Sequence, residues 1–373
     1  METNSSIFNE DKTVFKRVGY LDLLKCLGMF IVVSGHIHTN YGWFSLPIHS
    51  YVIPLYFLLS GLTFKRNKFP TFSSFLKHRA KTLLLPYFML SFVTWLLWAS
   101  YNLFLHADVN FLMPLLQTFI AQGSGGYLVH NVPLWFVTCL FVIESMYYFI
   151  DKLPEKINVL ICAICAIVGI FLIIGPWSSI TTKLPWSIES AFAAIIFYCV
   201  GNVLTKHYSL YEIQDVVVRK KWMAIGVILV LTSILVISAH WNGHVSLGSD
   251  ILGRSPLLFY INAFMGIVTI GLFAILVSSI KTECKIFNKI MGFHYWFGRN
   301  SFYIMATHVP IKGIIMVFVA KMLHVTVPYV GNDYLCCAFV FVVTCLLSSV
   351  AALLIGRIKK HDENWFDKIA KRN

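Results

Sequence analysis

Three ionisable residues stand in one apolar stretch, Tyr20-Leu-Asp22-Leu-Leu-Lys25-Cys-Leu-Gly-Met-Phe-Ile-Val-Val-Ser-Gly-His36. Lys25 and His36 are eleven positions apart. At about 100° per residue they return to within roughly 20° of one helical face, about 16 Å apart along the axis. Asp22 falls on that face too, whereas His38 points away from it. A helix carrying this stripe offers a carboxylate and an ammonium near one end and an imidazole further along. An imidazole titrates near working pH, which suits it to take the proton of a hydroxyl as that hydroxyl attacks an electrophile. The alternative is that Asp22 and Lys25 pair one turn apart and His36 rests in a satisfied polar pocket. The pattern as a whole favours the stripe as the lining of an active site, with His36 as general base.

A second constellation lies far along the chain, in Phe297-Gly298-Arg299-Asn300-Ser301 and on to His308. Arg299 and His308 are about 180° out of phase, so on one regular helix only one of them faces a shared cavity. Glu144, Glu189 and Lys312 also lie in apolar segments, and the sequence does not identify their partners. An ionisable side chain at the centre of a membrane helix costs about 2.5 to 3.5 kcal/mol on insertion scales, so each is expected to face a cavity or a partner. Nine cysteines lie mostly in apolar runs, and Cys162 with Cys165 reads as two small packing residues. No His or Cys cluster accompanies them, so no metal is expected.

The elements that must position these residues are membrane helices. Of 373 residues, 58% are hydrophobic and 13% charged, with a mean hydropathy of +0.73. Those values exclude a soluble globular enzyme. Apolar runs near 19–40, 48–64, 83–103, 133–150, 157–176, 186–204, 222–240, 257–279, 296–318 and 335–356 have about membrane-spanning length. The fold class is therefore all-α, a polytopic integral membrane bundle of about ten transmembrane helices. The net charge of +13 is mainly topological rather than a sign of nucleic acid as partner. Alternate loops hold Lys65, Arg66, Lys68, Lys77, Arg79, Lys81, Lys152, Lys156, Lys206, Arg219, Lys220, Lys221, Lys281, Lys285 and Lys289, whereas the opposite loops hold only Lys183, Arg254 and Lys321. By the positive-inside rule both termini are expected in the cytoplasm. Met1 to Lys16 is polar and no cleavage site follows the first apolar run, so that span is expected to stay as an anchor. The division is a cytoplasmic segment 1–18, a transmembrane domain 19–356 and a basic cytoplasmic tail 357–373, in a cell membrane, the cytoplasmic membrane of a bacterium above all.

Two loops stand out. Phe104 to Val132 is long, with an apolar middle from Asn110 to Ile120 suited to lying in the interface or folding back onto the bundle. Lys65 to Thr82 carries six basic residues, which fits either a grip on a polyanion or a loop that sets topology against anionic lipid. Trp43, Trp95, Trp98, Trp135, Trp177, Trp186 and Trp241 sit near span ends as interfacial anchors.

Taken in order, Asp22 with Lys25 and His36, then Pro54-Leu-Tyr-Phe-Leu-Leu-Ser60-Gly61, then Lys77-His-Arg79-Ala-Lys81 running into Leu84-Leu-Pro86-Tyr-Phe, then Leu134-Trp135-Phe136, and last Gly298-Arg-Asn-Ser301 before His308, the sequence resembles the membrane acyltransferase-3 family. The resemblance runs from Tyr20 to about Ile355. It implies about ten spans and transfer of acyl groups, most often acetyl, onto sugars of surface polysaccharides, lipopolysaccharide or related glycans. It implies that Lys25 and His36 are the catalytic pair, with Asp22 on their stripe. It also implies that a cytoplasmic Arg-x-x-Arg ahead of the Pro-Tyr helps bind acyl-CoA. Here Arg79 fits the first position, Thr82 stands at the second, and Lys81 is the nearest basic residue. Lys25 in place of Arg keeps the charge but loses the forked donor geometry.

The reaction expected is acyl transfer, with acetyl-CoA as donor substrate rather than a bound cofactor. Its phosphates would meet Lys77, Arg79 and Lys81, its thioester would reach up between the helices, and a glycan hydroxyl would enter from the outer face to His36. A covalent acyl-His36 intermediate is a variant of the same scheme. His308, Ser301, Ser60, Arg299 and Trp135 would support donor or acceptor, and Tyr41, Trp43 or Tyr127 could stack on a sugar. The rival functions are a proton-coupled glycan or lipid carrier without transferase chemistry, and a membrane partner that organises glycan-assembly proteins. No paired half-chain repeat supports a carrier.

Overall fold

A computed structural model describes residues 18–37, 45–104, 106–176 and 184–370, with side chains described to residue 357. His38, Tyr41, Trp43, Trp177, Lys183 and the side chains of the basic tail lie outside the described residues. Among the described residues 83% are helical, and 10 helices are long and apolar enough to cross a membrane. The elements are α1 (Gly19–Ile37), α2 (Ser45–Thr63), α3 (Phe72–Arg79), α4 (Leu85–Phe104), α5 (Leu112–Ile120), α6 (Trp135–Ile150), α7 (Glu155–Ile174), α8 (Ile188–His207), α9 (Leu210–Arg219), α10 (Lys221–Asn242), α11 (Pro256–Ser278), α12 (Lys285–Arg299), α13 (Ser301–Met322), α14 (Val327–Asn332) and α15 (Tyr334–Ala370). We call the end that carries Lys77, Lys81, Lys206 and Lys285 the basic end, and the other the far end.

Membrane helices gain little from apolar burial against apolar lipid, so close backbone approach must hold them together. That approach is built from glycines. Gly61 of α2 lies against the carbonyl of Tyr198 in α8, and Gly201 of α8 against the carbonyl of Leu58 in α2, so neither position has room for a Cβ. Cys162 and Cys199 both turn their thiols to Asn158 Oδ1, at 3.7 and 3.3 Å, which makes them part of the α7–α8 seam. The helix α1 sits inside a ring of α2, α11, α12, α13 and α15.

Two boundaries differ from the sequence reading. The third span opens early, at Phe72, because Thr71 and Ser74 form a reciprocal cap. The helix then passes through one π turn, Ala80–Leu84, just before Pro86, whose missing N–H and bulky ring disrupt regular α pairing. The ninth apolar segment is two helices rather than one. The amphipathic α12 ends at Arg299, Asn300 breaks the run, and α13 starts at Ser301. The long connection does fold back onto the bundle. Its α5 is tied to α4 by Tyr87 Oη donating to the Thr118 carbonyl at 2.6 Å and Trp95 Nε1 to the Phe111 carbonyl at 2.8 Å. Leu112, Leu116 and Phe119 on its other side stay exposed, as an interfacial helix requires.

Candidate active site

Four helices enclose a cavity of about 210 Å³. From α1 come Lys25 and His36, from α2 Tyr56 and Ser60, from the start of α6 Trp135, and from the start of α13 Ser301. The eleven-residue spacing in α1 does put Lys25 and His36 into one space, since α1 is regular throughout. Tyr56 fixes α2 against α1 by donating from its hydroxyl to the Lys25 carbonyl at 2.7 Å. The rest of the lining, including Met29, Val32, Ile53 and Met305, is apolar. Such walls exclude water and strengthen any polar interaction made inside.

His36 does not stand alone. Its ring centroid lies 5.1 Å from that of His308, with the planes inclined at 50°. His308 is fully buried. Its Nδ1 lies 2.7 Å from the Met305 carbonyl and 3.1 Å from that of Ile304. Carbonyls only accept, so Nδ1 carries a proton, and in the neutral form of the ring Nε2 is a bare lone pair. That Nε2 has no hydrogen-bond partner among the described residues. Lys312, one turn further along α13, donates from Nζ to the His36 carbonyl at 3.2 Å and ties the end of α1 to α13.

The far side of the site is shaped by the connection between α5 and α6. Gly123 and Gly248 press their backbones against the Trp135 indole, and a Cβ at either position would run into it. The connection is anchored by Gln122 Nε2 donating to Glu189 Oε1 at 2.6 Å and by the Ser187 hydroxyl donating to Gln122 Oε1 at 2.6 Å. Nearby, Ser190 Oγ donates to Asp250 Oδ1 at 3.0 Å. Burial pushes the Asp250 carboxyl up to about 6, against the pull of the Ser190 and Ser124 hydroxyls. Further along the same connection His130 is 2% exposed, and burial pulls it down to about 4.

Lys25, His36, Ser60, Trp135 and Ser301 are thus brought to one cavity, with His308 directly behind His36. Other candidates are placed elsewhere. Asp22 is buried on the seam between α1 and α12, where Gly298 packs on its carbonyl. There the Tyr295 phenol is raised first by burial and then by the Asp22 carboxylate. Arg299 is exposed at the end of α12, which resolves the phase conflict with His308 by breaking the helix between them. Arg79 turns inward, with Nε 2.9 Å from Glu144 Oε2 and its guanidinium over Phe75. Lys77 and Lys81 are exposed at the basic end. Positions two apart on a helix face opposite ways and positions four apart share a face, so this split was already implied by the spacing. The sequence reading did not single out Tyr56, and it gave Lys312 no role although its i+4 spacing from His308 was legible. Among the described residues no group of three His, Cys, Asp or Glu is arranged to hold a metal ion.

The fold and this cavity define an integral membrane protein with a buried, imidazole-bearing site. A family model described as an acyltransferase domain matches residues 18–353. The chain belongs to that family, the membrane acyltransferase-3 family, and is a membrane acyltransferase. No curated protein and no solved structure matches it.

Proposed function

We propose that the protein transfers an acetyl group from acetyl-CoA, entering at the basic end, to a hydroxyl of a glycan sugar entering at the far end. The observation that carries this reading is the convergence of Lys25, His36, Ser60 and Ser301 on one apolar-walled cavity, with the His308 ring 5.1 Å from that of His36. The basic end is then cytoplasmic, as are both termini, and the membrane is the cytoplasmic membrane of a bacterium.

The exposed cations Lys77 and Lys81 take the donor's phosphates by charge-assisted hydrogen bonds. Arg79 is held by Glu144 and fixes the junction of α3 with the π turn, on either side of which Lys77 and Lys81 lie. The pantetheine arm passes into the cavity beside Ser60 and Ser301. A ring nitrogen of His36 takes the proton of the acceptor hydroxyl, and the oxygen attacks the thioester carbonyl. The C–S bond then breaks, and the leaving thiolate recovers the proton from His36. Lys25, about 16 Å from His36 along the same stripe, keeps the polar channel in register on the donor side. His308 offers its Nε2 lone pair to the imidazolium that forms.

The test is turnover by the purified chain in lipid nanodiscs, followed by release of free thiol from acetyl-CoA with a glycan acceptor present. General-base contributions are about 10² to 10⁴ in rate, so His36→Ala should lose at least ~100-fold. Equal turnover by wild type and His36→Ala would refute the assignment.

A further inference from the structure

Beyond the imidazole pair, towards the far end, lies a second cavity of about 280 Å³, close to the roughly 300 Å³ at which small-molecule sites begin. Trp98 and Tyr101 of α4 line one side, Val129 and His130 a second, and Pro310 and Lys312 of α13 the third. The helix α13 runs through both cavities. Ser301, Phe302 and Met305 line the first, Val309, Pro310 and Lys312 line the second, and the fully buried His308 lies between them in sequence.

This second space is built. Pro310 has no N–H to give the Ala306 carbonyl four residues back, and Asn131 Nδ2 supplies the missing bond at 2.7 Å. That bond pins the connection to α13 one turn before Pro310 and sets the adjacent His130 in the cavity wall. His130 is 2% exposed, and both its ring nitrogens lack a hydrogen-bond partner among the described residues. Buried polar groups are almost always paired, so two orphaned nitrogens lining a cavity point to a ligand that completes them. Lys312 is the second sign. Its ammonium has three donors, of which one meets the His36 carbonyl. Among the described residues no carboxylate lies within ion-pair distance of it. Trp98 and Tyr101 add aromatic faces, which are the common platforms for sugar rings.

We propose that this cavity binds the acceptor as a sugar residue bearing an anionic substituent, a carboxylate or a phosphate. The ring lies against Trp98 and Tyr101, a hydroxyl completes His130, and the anion meets Lys312, which leaves a neighbouring hydroxyl directed past His308 to His36. The acceptor role rests on the acyl-transfer reading. The anionic-sugar site itself is testable without acetyl-CoA.

The experiment measures binding of digalacturonate, glucose 1-phosphate and maltose to the full chain in phosphatidylcholine nanodiscs by saturation-transfer NMR. The wild type should bind at least one anionic probe ~10-fold more tightly than maltose, and the better of the two names the substituent. Lys312→Met should erase that preference while changing maltose binding less than twofold, Lys312→Arg should keep it, and His130→Leu should weaken all three probes. A wild type without preference, or a preference intact in Lys312→Met, overturns the proposal. So does loss of probe binding in discs containing phosphatidylglycerol, which would assign the cavity to a lipid headgroup. A protein that binds the anionic probes but never consumes acetyl-CoA would instead remove the transferase reading and leave the site standing.

Discussion

At the scale of single residues the chemistry rests on which imidazole nitrogen is bare. His308 is fixed as the Nδ1–H tautomer by two carbonyls of its own helix, so its Nε2 is a lone pair beside His36. Replacing His308 with Leu, which cannot accept a hydrogen bond from the His36 imidazolium, should lower turnover about tenfold or more while leaving acetyl-CoA affinity within twofold. A fall in affinity with unchanged turnover would make His308 a packing residue only. The Arg79–Glu144 pair belongs to stability. Taking one partner from a buried ion pair costs about 3 to 5 kcal/mol because the other charge is left stranded, so Glu144→Leu should unfold at lower temperature than Arg79→Met/Glu144→Leu. Equal melting temperatures would show that the stranded Arg79 carries no penalty. The Lys25–His36 relation was legible in the sequence because it lies within one regular helix. The His36–His308 pair was not, because it depends on how α1 packs against α13 across some 270 intervening positions, and no local period reports that.

At the scale of elements the critical joint is where Pro310 interrupts the hydrogen bonding of α13. Proline removes one helical hydrogen bond, and Asn131 from another element replaces it. Asn131→Leu leaves a buried carbonyl unpaired and should cost about 1 to 3 kcal/mol. Pro310→Ala restores a backbone N–H there, so in that background Asn131→Leu should cost clearly less. A thermal-melting double-mutant cycle measures this, and strictly additive effects would separate Asn131 from the proline. Helix existence was readable from apolar run length, as the near match of expected spans with α2, α6 and α11 attests. Breaks inside runs were harder. Asn300 divides α12 from α13 without a proline or glycine, since the division follows from α12 lying on the bundle's basic end with Ile286 and Ile290 exposed, and hydropathy averages across it.

At the scale of the whole molecule, α13 contributes to the walls of two cavities, one through Ser301 and Met305 and the other through Val309 and Lys312. The connection from α4 to α6 covers the far end, and its stability should depend on pH through His130. Burial holds that imidazole neutral down to about 4, whereas in the unfolded chain it protonates near 6.5. Between those values the unfolded state binds more protons, so stability falls as pH drops from about 6.5 towards 4 and the loss is complete below 4. His130→Gln should flatten the melting-temperature profile in that window relative to wild type. The raised Asp250 carboxyl is common to both proteins and cancels from the comparison. The membrane bundle and its basic end were plain in composition and charge placement. The second cavity was not, because it is made by residues from α4, α13, α14 and the connection, each unremarkable alone.

The most direct test is the alkali-labile O-acetyl content of the surface glycan, read by NMR and mass spectrometry in the source cell. Cells without the gene are compared after complementation with wild type or with His36→Ala at equal membrane levels. The account predicts that deletion removes an acetyl group, that wild type restores it and that His36→Ala does not. Full restoration by His36→Ala would contradict it.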